Sequence, residues 1–391
     1  MNPNDIVIVA ARRTPVGGFL GQLSPLSAPA LGTAVLEAVL ADSGVEAARI
    51  SEVLMGCVLP AGIGQAPARQ AALGAGVPPA VGCTTINKVC GSGMKTIMLG
   101  HDLCLAGSAE LVLAGGMESM SNAPYLLPKA RQGYRFGHQQ VLDHMFLDGL
   151  ENARDGQRMG YFAELCADRY GFTREQQDAY AAESVRRAVA ALDNGGLTAE
   201  IVPLMVPGRR EAQRVHEDEQ PRRSDISKIP TMKPAFREGG TVTAANASSI
   251  SDGAAAVLLM KRATATVLGI TPLARIVAHA SHAQAPEKFT TAPIGAIKKL
   301  QDKLGWSEAD LYEINEAFAV VTLAAMEELG LDHAKVNVNG GACAVGHPIG
   351  ASGARLVVTL LHALRQQDLQ RGIAALCIGG GEATALALEA E

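Results

Sequence analysis

Aromatic side chains are scarce in this chain: eight Phe, six Tyr and one Trp among 391 residues. Long apolar runs are missing too. A helix that spans a bilayer needs ~18 or more apolar residues, and one of the longest runs here covers only 254–260. No membrane partner is therefore expected. Neither sign of charge dominates: 34 Lys and Arg face 39 Asp and Glu, for a net charge of −5. That balance leaves no electrostatic footprint for nucleic acid. Cysteine is sparse and unpaired in pattern, with seven residues and no CxxC. A disulfide framework and zinc-ligand spacing are both absent, so no metal is expected and the thiols read as reduced, in the cytoplasm. The apolar stretch 6–11 is too short for a signal peptide and is followed by Arg12-Arg13, and the last residues lack a peroxisomal tripeptide. Glycine is abundant at 42 residues, and 48% of side chains are hydrophobic. These features describe a soluble α/β protein whose backbones pack closely.

Strand and helix patterns alternate along most of the chain. Short apolar runs predict strands over 5–11, 53–58, 84–87 and 110–114. Helical periodicity predicts helices over 30–42, 66–73 and 91–106. After residue 253 the alternation resumes, with strands over 254–260, 274–279, 311–314, 336–338, 373–378 and 385–389. Helices are expected there over 292–304, 317–329 and 351–365. Such β/α alternation predicts a parallel or mixed sheet covered by helices. Residues 117–247 differ. They hold 17 of the 34 basic residues, 18 of the 39 acidic residues and ten of the 15 aromatics. They include one amphipathic helix over 173–193 and a Pro- and charge-rich stretch over 206–234, and they read as an insertion with an exposed surface.

The chain also repeats itself. Leu111-Val-Leu-Ala-Gly-Gly-Met-Glu-Ser119 resembles Ala375-Leu-Cys-Ile-Gly-Gly-Gly-Glu-Ala383. Upstream of each, a glycine-rich turn opens a helix, at Cys90-Gly-Ser-Gly and Ile349-Gly-Ala-Ser-Gly. Two matches in the same order point to a duplicated β/α half.

Cys90 follows a predicted strand and precedes a helix. The helix dipole favours a thiolate there, and the glycines leave N–H groups for an oxyanion. A buried, inert cysteine is the alternative. His347 sits on a glycine-dense turn before a helix, where an imidazole titrates near neutral pH or caps the turn. Cys377 ends a buried strand before Gly-Gly-Gly, as a reactive group or a core filler. Asn315 stands at a strand-to-helix junction, as a helix cap or a group that orients a water. His101 and His144 remain open candidates. Arg209, Arg210, Arg214, Arg222 and Arg223 cluster, but neighbouring acidic residues offset them. A small phosphate-bearing molecule fits such a cluster better than nucleic acid does.

Taken together, Asn87-Lys-Val-Cys-Gly-Ser-Gly-Met-Lys95, Ala114-Gly-Gly-Met-Glu-Ser-Met-Ser121, Asn246-Ala-Ser248, Asp252-Gly-Ala-Ala-Ala256, Asn315-Glu-Ala-Phe-Ala319, Gly346-His-Pro-Ile-Gly-Ala-Ser-Gly353 and Cys377-Ile-Gly-Gly-Gly381 resemble the thiolase family over nearly the whole chain. The resemblance implies a five-layered α-β-α-β-α fold of two similar βαβαβαββ halves, 1–116 with 248–269 and 270–391. A loop domain inserted over 117–247 would bind coenzyme A. It implies a nucleophile at Cys90, a base at His347, a second thiol at Cys377 that removes an α-proton, a water held by Asn315, and an oxyanion hole from the N–H groups of Cys90 and Gly379. Ser248 would meet the pantetheine and Arg222 the nucleotide, with Arg223 as a rival; Met159, Ala244 and Phe318 complete the CoA-binding set.

The segments 142–150 and 156–160 are similar to the covering loop of biosynthetic acetoacetyl-CoA thiolases, except that Arg158 stands where His is usual before Met-Gly. The implied activity is condensation of two acetyl-CoA to acetoacetyl-CoA and CoA, and its reverse, in fatty acid metabolism. No prosthetic group is implied, and the assembly would be a homotetramer (dimer of dimers). A thiolase for longer or functionalised acyl chains, or a non-catalytic acyl-CoA-binding scaffold, are the alternatives. The second cysteine argues against a decarboxylating condensing enzyme.

Overall fold

The computed structural model describes residues 2–208 and 210–391; Arg209 of the basic cluster lies outside the described residues. The architecture rests on strands β1 (Ile6–Arg13), β2 (Glu52–Gly56), β3 (Gly82–Ile86), β4 (Leu111–Ser119), β5 (Ser251–Lys261), β6 (Ala274–Ala283), β7 (Leu311–Ile314), β8 (Arg371–Ile378) and β9 (Glu382–Ala390). They form one continuous ladder, ordered β7-β8-β9-β6-β1-β5-β4-β2-β3, with Gly17–Gly18 added on β5. Pairing is mirrored about the β1·β6 contact. Outward from β1 the pairs run antiparallel, antiparallel, parallel, and outward from β6 they do the same. The matched segments at 111 and 375 fall on β4 and β8, at equivalent places in the two halves.

The helices that cover this ladder are α1 (Ala28–Ser43), α2 (Pro67–Gly74), α3 (Ser92–Ala106), α4 (Met159–Tyr170), α5 (Arg174–Asp193), α6 (Ala292–Leu304), α7 (Ala319–Leu329) and α8 (Ser352–Gln366). Side-chain alternation on each strand sorts the core into layers. Val7, Val53, Leu113 and Leu258 pack beneath α1 and α2. Ile8, Leu54, Val112, Val257, Leu376 and Leu386 face α3 and α8, which touch each other between the two halves. Ile314, Ala375, Cys377 and Ala385 turn to the other side, beneath α4, α6 and α7. The result is helices, sheet, helices, sheet, helices.

Local signals explain the ends of these elements. Ser27 caps α1, its hydroxyl accepting from Ala30 N–H at 3.3 Å, and Gly44 closes the helix in the left-handed region. Thr173 and Gln176 form a reciprocal capping box on α5. The charge-rich stretch 117–247 is anchored by burial, not only exposed. Arg13, 2% exposed, donates to Glu200 at 2.5 Å and to both Asp218 oxygens at 2.7 and 2.9 Å.

Three expectations need correction. The strand expected to end at 114 continues to Ser119, because Gly115 and Gly116 act here as strand residues under close packing. A Cβ on Gly115 would lie 2.2 Å from Ala255 O, and one on Gly116 2.1 Å from Gly350 O. The strand expected at 336–338 reduces to one bridge, Val336 to Tyr312. Asn337 leaves the extended region with φ +50, and its amide completes the ladder instead: Oδ1 accepts from Ile314 N–H and Nδ2 donates to Ile314 O, both at 2.8 Å. The helix expected from 317 begins at Ala319. Phe318 is extended, and Ala317 O accepts from Ser248 N–H at 3.0 Å.

Candidate active site

Four chain turns converge where the two halves meet. The first follows β3. Val89 adopts φ +47, and its carbonyl accepts from Ser92 Oγ at 2.7 Å, presenting Cys90 just ahead of α3. The second is the loop before α8. Gly346 takes φ +105, and a Cβ there would strike Ser251 Oγ at 2.1 Å, so only glycine lets the chain swing His347 inward. The third is the end of β8, where Gly380 and Gly381 (φ +92 and +90) reverse the chain directly after Cys377, Ile378 and Gly379. The fourth joins β7 to α7 and carries Asn315, whose N–H donates to Ala375 O at 3.0 Å.

These turns enclose a pocket of about 350 Å³. Its walls are mostly apolar. Cys90, His347, Cys377, Gly379, Ser248, Met159, Ala244 and Phe318 all lie on them. Asn315 is buried behind the wall, its Nδ2 3.4 Å from His347 Nε2. Arg222 is absent from the lining. It sits on the short helix Glu219–Arg223, bonded to Glu217 at 2.7 Å and Asp193 at 2.9 Å. Arg223 is also outside the lining and pairs with Glu219. Phe146, Leu150, Phe236, Phe289 and Ile349 line the pocket without having been singled out in the sequence. The concentration of aromatics within 117–247 was the available signal for two of them, Phe146 and Phe236, but only contact geometry separates a pocket ring from a surface ring. Gly160 shows the fit: a Cβ there would sit 2.2 Å from the Phe236 ring.

The hydrogen bonds of His347 fix its tautomer. Ser352 Oγ donates its proton to Pro348 O at 2.9 Å, so it accepts from His347 Nδ1–H at 2.5 Å. Nε2 is left as the acceptor. Burial, aided by the positive charge of Arg355, lowers the imidazole pKa to about 3, so the ring is neutral at ordinary pH. Burial pushes the half-buried Cys90 thiol up to about 11, although N–H groups of Gly379 and Cys90 point at its sulfur and oppose the shift. Burial, and then the neighbouring Cys90, raise Cys377 as well. Both thiols are thus protonated at rest beside a neutral base. Glu118 stands behind Cys90, accepting from the N–H groups of Val58, Leu59 and Gly350 at 3.0, 3.2 and 2.9 Å. It ties the His347 loop to the chain after β2.

Such a site, two thiols and a tautomer-fixed imidazole around aimed backbone N–H groups, suits acyl transfer through a cysteine thioester. Comparison with known proteins places the chain in a family. The thiolase N-terminal domain matches residues 6–263 and the thiolase C-terminal domain residues 270–390, so the chain belongs to the thiolase family. Within it, the chain is 51% identical to a Pseudomonas aeruginosa protein named acetyl-CoA acetyltransferase, over 98% of this chain and 99% of that one. It is also 51% identical to acetyl-CoA acetyltransferase 2 of Arabidopsis thaliana, over 100% and 98% of the two chains. Among solved structures, the Acat5 thiolase of Ascaris suum in complex with coenzyme A superposes with a TM-score of 0.95 at 43% identity, covering 99% of this chain and 100% of that one. The Bacillus anthracis acetyl-CoA acetyltransferase superposes with a TM-score of 0.97 at 41% identity, covering 99% of each chain.

Proposed function

We propose that the chain is an acetyl-CoA C-acetyltransferase. It condenses two acetyl-CoA to acetoacetyl-CoA and CoA, and runs the reverse thiolysis, through an acetyl-Cys90 intermediate. The observation that carries this reading is the meeting of Cys90, Cys377 and His347 Nε2 on one apolar pocket with the N–H of Gly379 aimed at Cys90. The full-length relatives named acetyl-CoA acetyltransferase support the substrate.

Proton bookkeeping gives each group one task at a time. Nε2 of His347 takes the Cys90 proton as Sγ attacks the first thioester carbonyl. The two N–H groups receive the developing oxyanion, each typically worth ~3 kcal/mol. The departing CoA thiolate takes the Cys377 proton and leaves as free thiol. The Cys377 thiolate then removes an α-proton from the second acetyl-CoA. The enolate oxygen receives Nε2–H of His347, now charged, beside a water held by Asn315. The enolate carbon attacks acetyl-Cys90, the C–S bond breaks, and the Cys90 thiolate recovers its proton from His347. A thioester already acidifies its α-proton, so this route draws on no prosthetic group.

Within the same reading, 117–247 grips CoA as an insertion between the parts of the first half, 1–116 and 248–269, while 270–391 forms the second. Ser248, held by Ala317 O at 3.0 Å, meets the pantetheine with Met159, Ala244 and Phe318. Arg222 reaches the nucleotide by exchanging Asp193 or Glu217 for phosphate. Exposed Tyr125, Leu127 and Phe136 support a homotetramer, and the seven free cysteines a cytoplasmic setting.

Cysteine variants test the assignment. With labelled acetyl-CoA, Cys90→Ala should give no acetyl-enzyme, whereas Cys377→Ala should acetylate and fail to condense. Acetylation of the Cys90 variant would overturn the roles. Thiolysis rates for acetoacetyl-CoA against longer 3-oxoacyl-CoA decide chain length.

A further inference from the structure

Far along the chain from Cys377 and His347, two histidines and an aspartate meet. His101 and Asp102 are neighbours on α3, and His279 projects from β6. One oxygen of Asp102 lies 3.1 Å from His101 Nδ1 and 2.9 Å from His279 Nε2, so a single carboxylate faces both rings. The rings meet edge to face with centroids 5.0 Å apart. One ligand atom from each residue falls within 4.8 Å of the others. The imidazoles are held, at 13% and 16% side-chain exposure, while Asp102, at 52%, is free to adjust. The cluster opens on a second cavity of about 330 Å³, lined also by Asn2, Asn4, Asp5, Arg275 and Lys303.

We propose that His101, Asp102 and His279 bind a divalent transition metal of the zinc type, with water from this cavity completing its coordination. Two imidazole nitrogens and one carboxylate oxygen are a donor set that such ions take, at ~2.0–2.2 Å from the metal. Tetrahedral coordination at that length separates donors by ~3.3 Å; the carboxylate oxygen already stands 3.1 and 2.9 Å from the two ring nitrogens, so it has only to back off slightly while the imidazoles, whose nitrogens lie within 4.8 Å of each other, close on the ion. Each ring now donates to the carboxylate the N–H that faces it, so binding puts the metal in place of that proton and leaves the ring proton on the other nitrogen. Arg275 is matched by Glu389 at 2.7 Å and Asp5 at 3.8 Å. Lys303, on the wall of the same cavity, opposes the incoming charge and weakens binding.

The position sets the role. His101 lies nine residues from the start of α3, ~14 Å along the helix axis, so the metal stays clear of the thiol chemistry. It joins α3, a helix of the first half, to β6, a strand of the second. The spacing gave no hint of it, because the partners are 177 residues apart.

The test uses the full-length enzyme, stripped with chelator and dialysed against Co²⁺. Cobalt bound to nitrogen and oxygen shows visible d–d bands, whereas thiolate coordination adds an intense near-ultraviolet charge-transfer band and so reports the cysteines separately. The expected result is one Co²⁺ per chain without the charge-transfer band, a thermal midpoint raised by Zn²⁺, and affinity reduced at least ~10-fold in His279→Gln and in His101→Gln. Thiolysis activity of the metal-free variants should match that of the metal-free wild type. The proposal falls if the protein binds no Co²⁺ below millimolar concentration, if the bound ion shows only thiolate bands, or if both Gln variants bind as the wild type does. Should one variant fold poorly, the other carries the comparison.

Discussion

A side chain in this site is readied for its proposed chemistry where a neighbour fixes its proton. Ser352 is the clearest case. Removing its hydroxyl deprives His347 Nδ1–H of its acceptor and frees the ring to flip tautomer. Ser352→Ala should lower kcat roughly 10–100-fold with KM little changed, as read by steady-state thiolysis. Cys90 offers a second check. Its thiol is pushed up to about 11, so the proton stays on at neutral pH and leaves only in alkali. Alkylation of Cys90 by iodoacetamide should keep accelerating above pH 9. A plateau below pH 8 would instead indicate a resting thiolate paired with a charged His347. The placement of Cys90, His347 and Cys377 was legible in the sequence, because each stands beside glycines whose backbone freedom a packed core seldom requires. The hydrogen bond to Ser352 was not, since a serine five residues into the following turn looks like any other helix start. Nor was the duty of Glu118, which depends on N–H groups from two remote loops.

At the scale of elements, the glycine-rich starts of α3 and α8 are contact surfaces as much as turns. A Cβ on Gly353 would lie 2.4 Å from Met94 N, and one on Gly93 2.8 Å from Ala354 N. Each helix start rests on the backbone of the other, which holds the Cys90 and His347 loops in register. Gly353→Ala should destabilise the fold by about 1–3 kcal/mol in denaturant unfolding and depress kcat beyond what stability explains. Gly44→Ala is the contrast. It has a left-handed φ of +65 and nothing within 4 Å, so it should cost ~1 kcal/mol and leave kcat alone. The repeat at 111–119 and 375–383 told where the halves correspond but not how they differ. In β4 the glycines stay in the strand, whereas in β8 the chain turns after Ile378. The surroundings decide: Ala255 and Gly350 pack on the first pair, while Gly380 meets nothing within 4 Å.

For the molecule as a whole, burial sets the pH response. His279, His333, His347 and His362 all have lowered pKa values, with burial the largest cause in each. Released by unfolding, each takes up a proton near pH 6.5, so stability is full above that value and drains as pH falls. Glu118 works in the opposite sense. Burial raises it to about 7, so between its unfolded value near 4.5 and pH 7 the folded state holds the extra proton and gains stability as pH falls. Glu313, raised by burial to about 8, offsets in the same sense in both proteins, so the comparison isolates Glu118: from pH 7 to pH 5 the thermal midpoint should fall more steeply in Glu118→Gln than in the wild type. A shallower slope in that variant would contradict the assignment.

One pocket of about 350 Å³ contains both thiols and the base, near the small end of the ~300–1,000 Å³ typical of ligand sites. On the proposed mechanism it seats a single thioester arm at a time. Free CoA and the incoming acyl-CoA therefore compete for one berth, and each turnover waits for the first product to vacate it. The enzyme then answers to the ratio of free to acylated CoA around it: abundant acetyl-CoA drives carbon into four-carbon units, and abundant CoA draws it back out, through the same door.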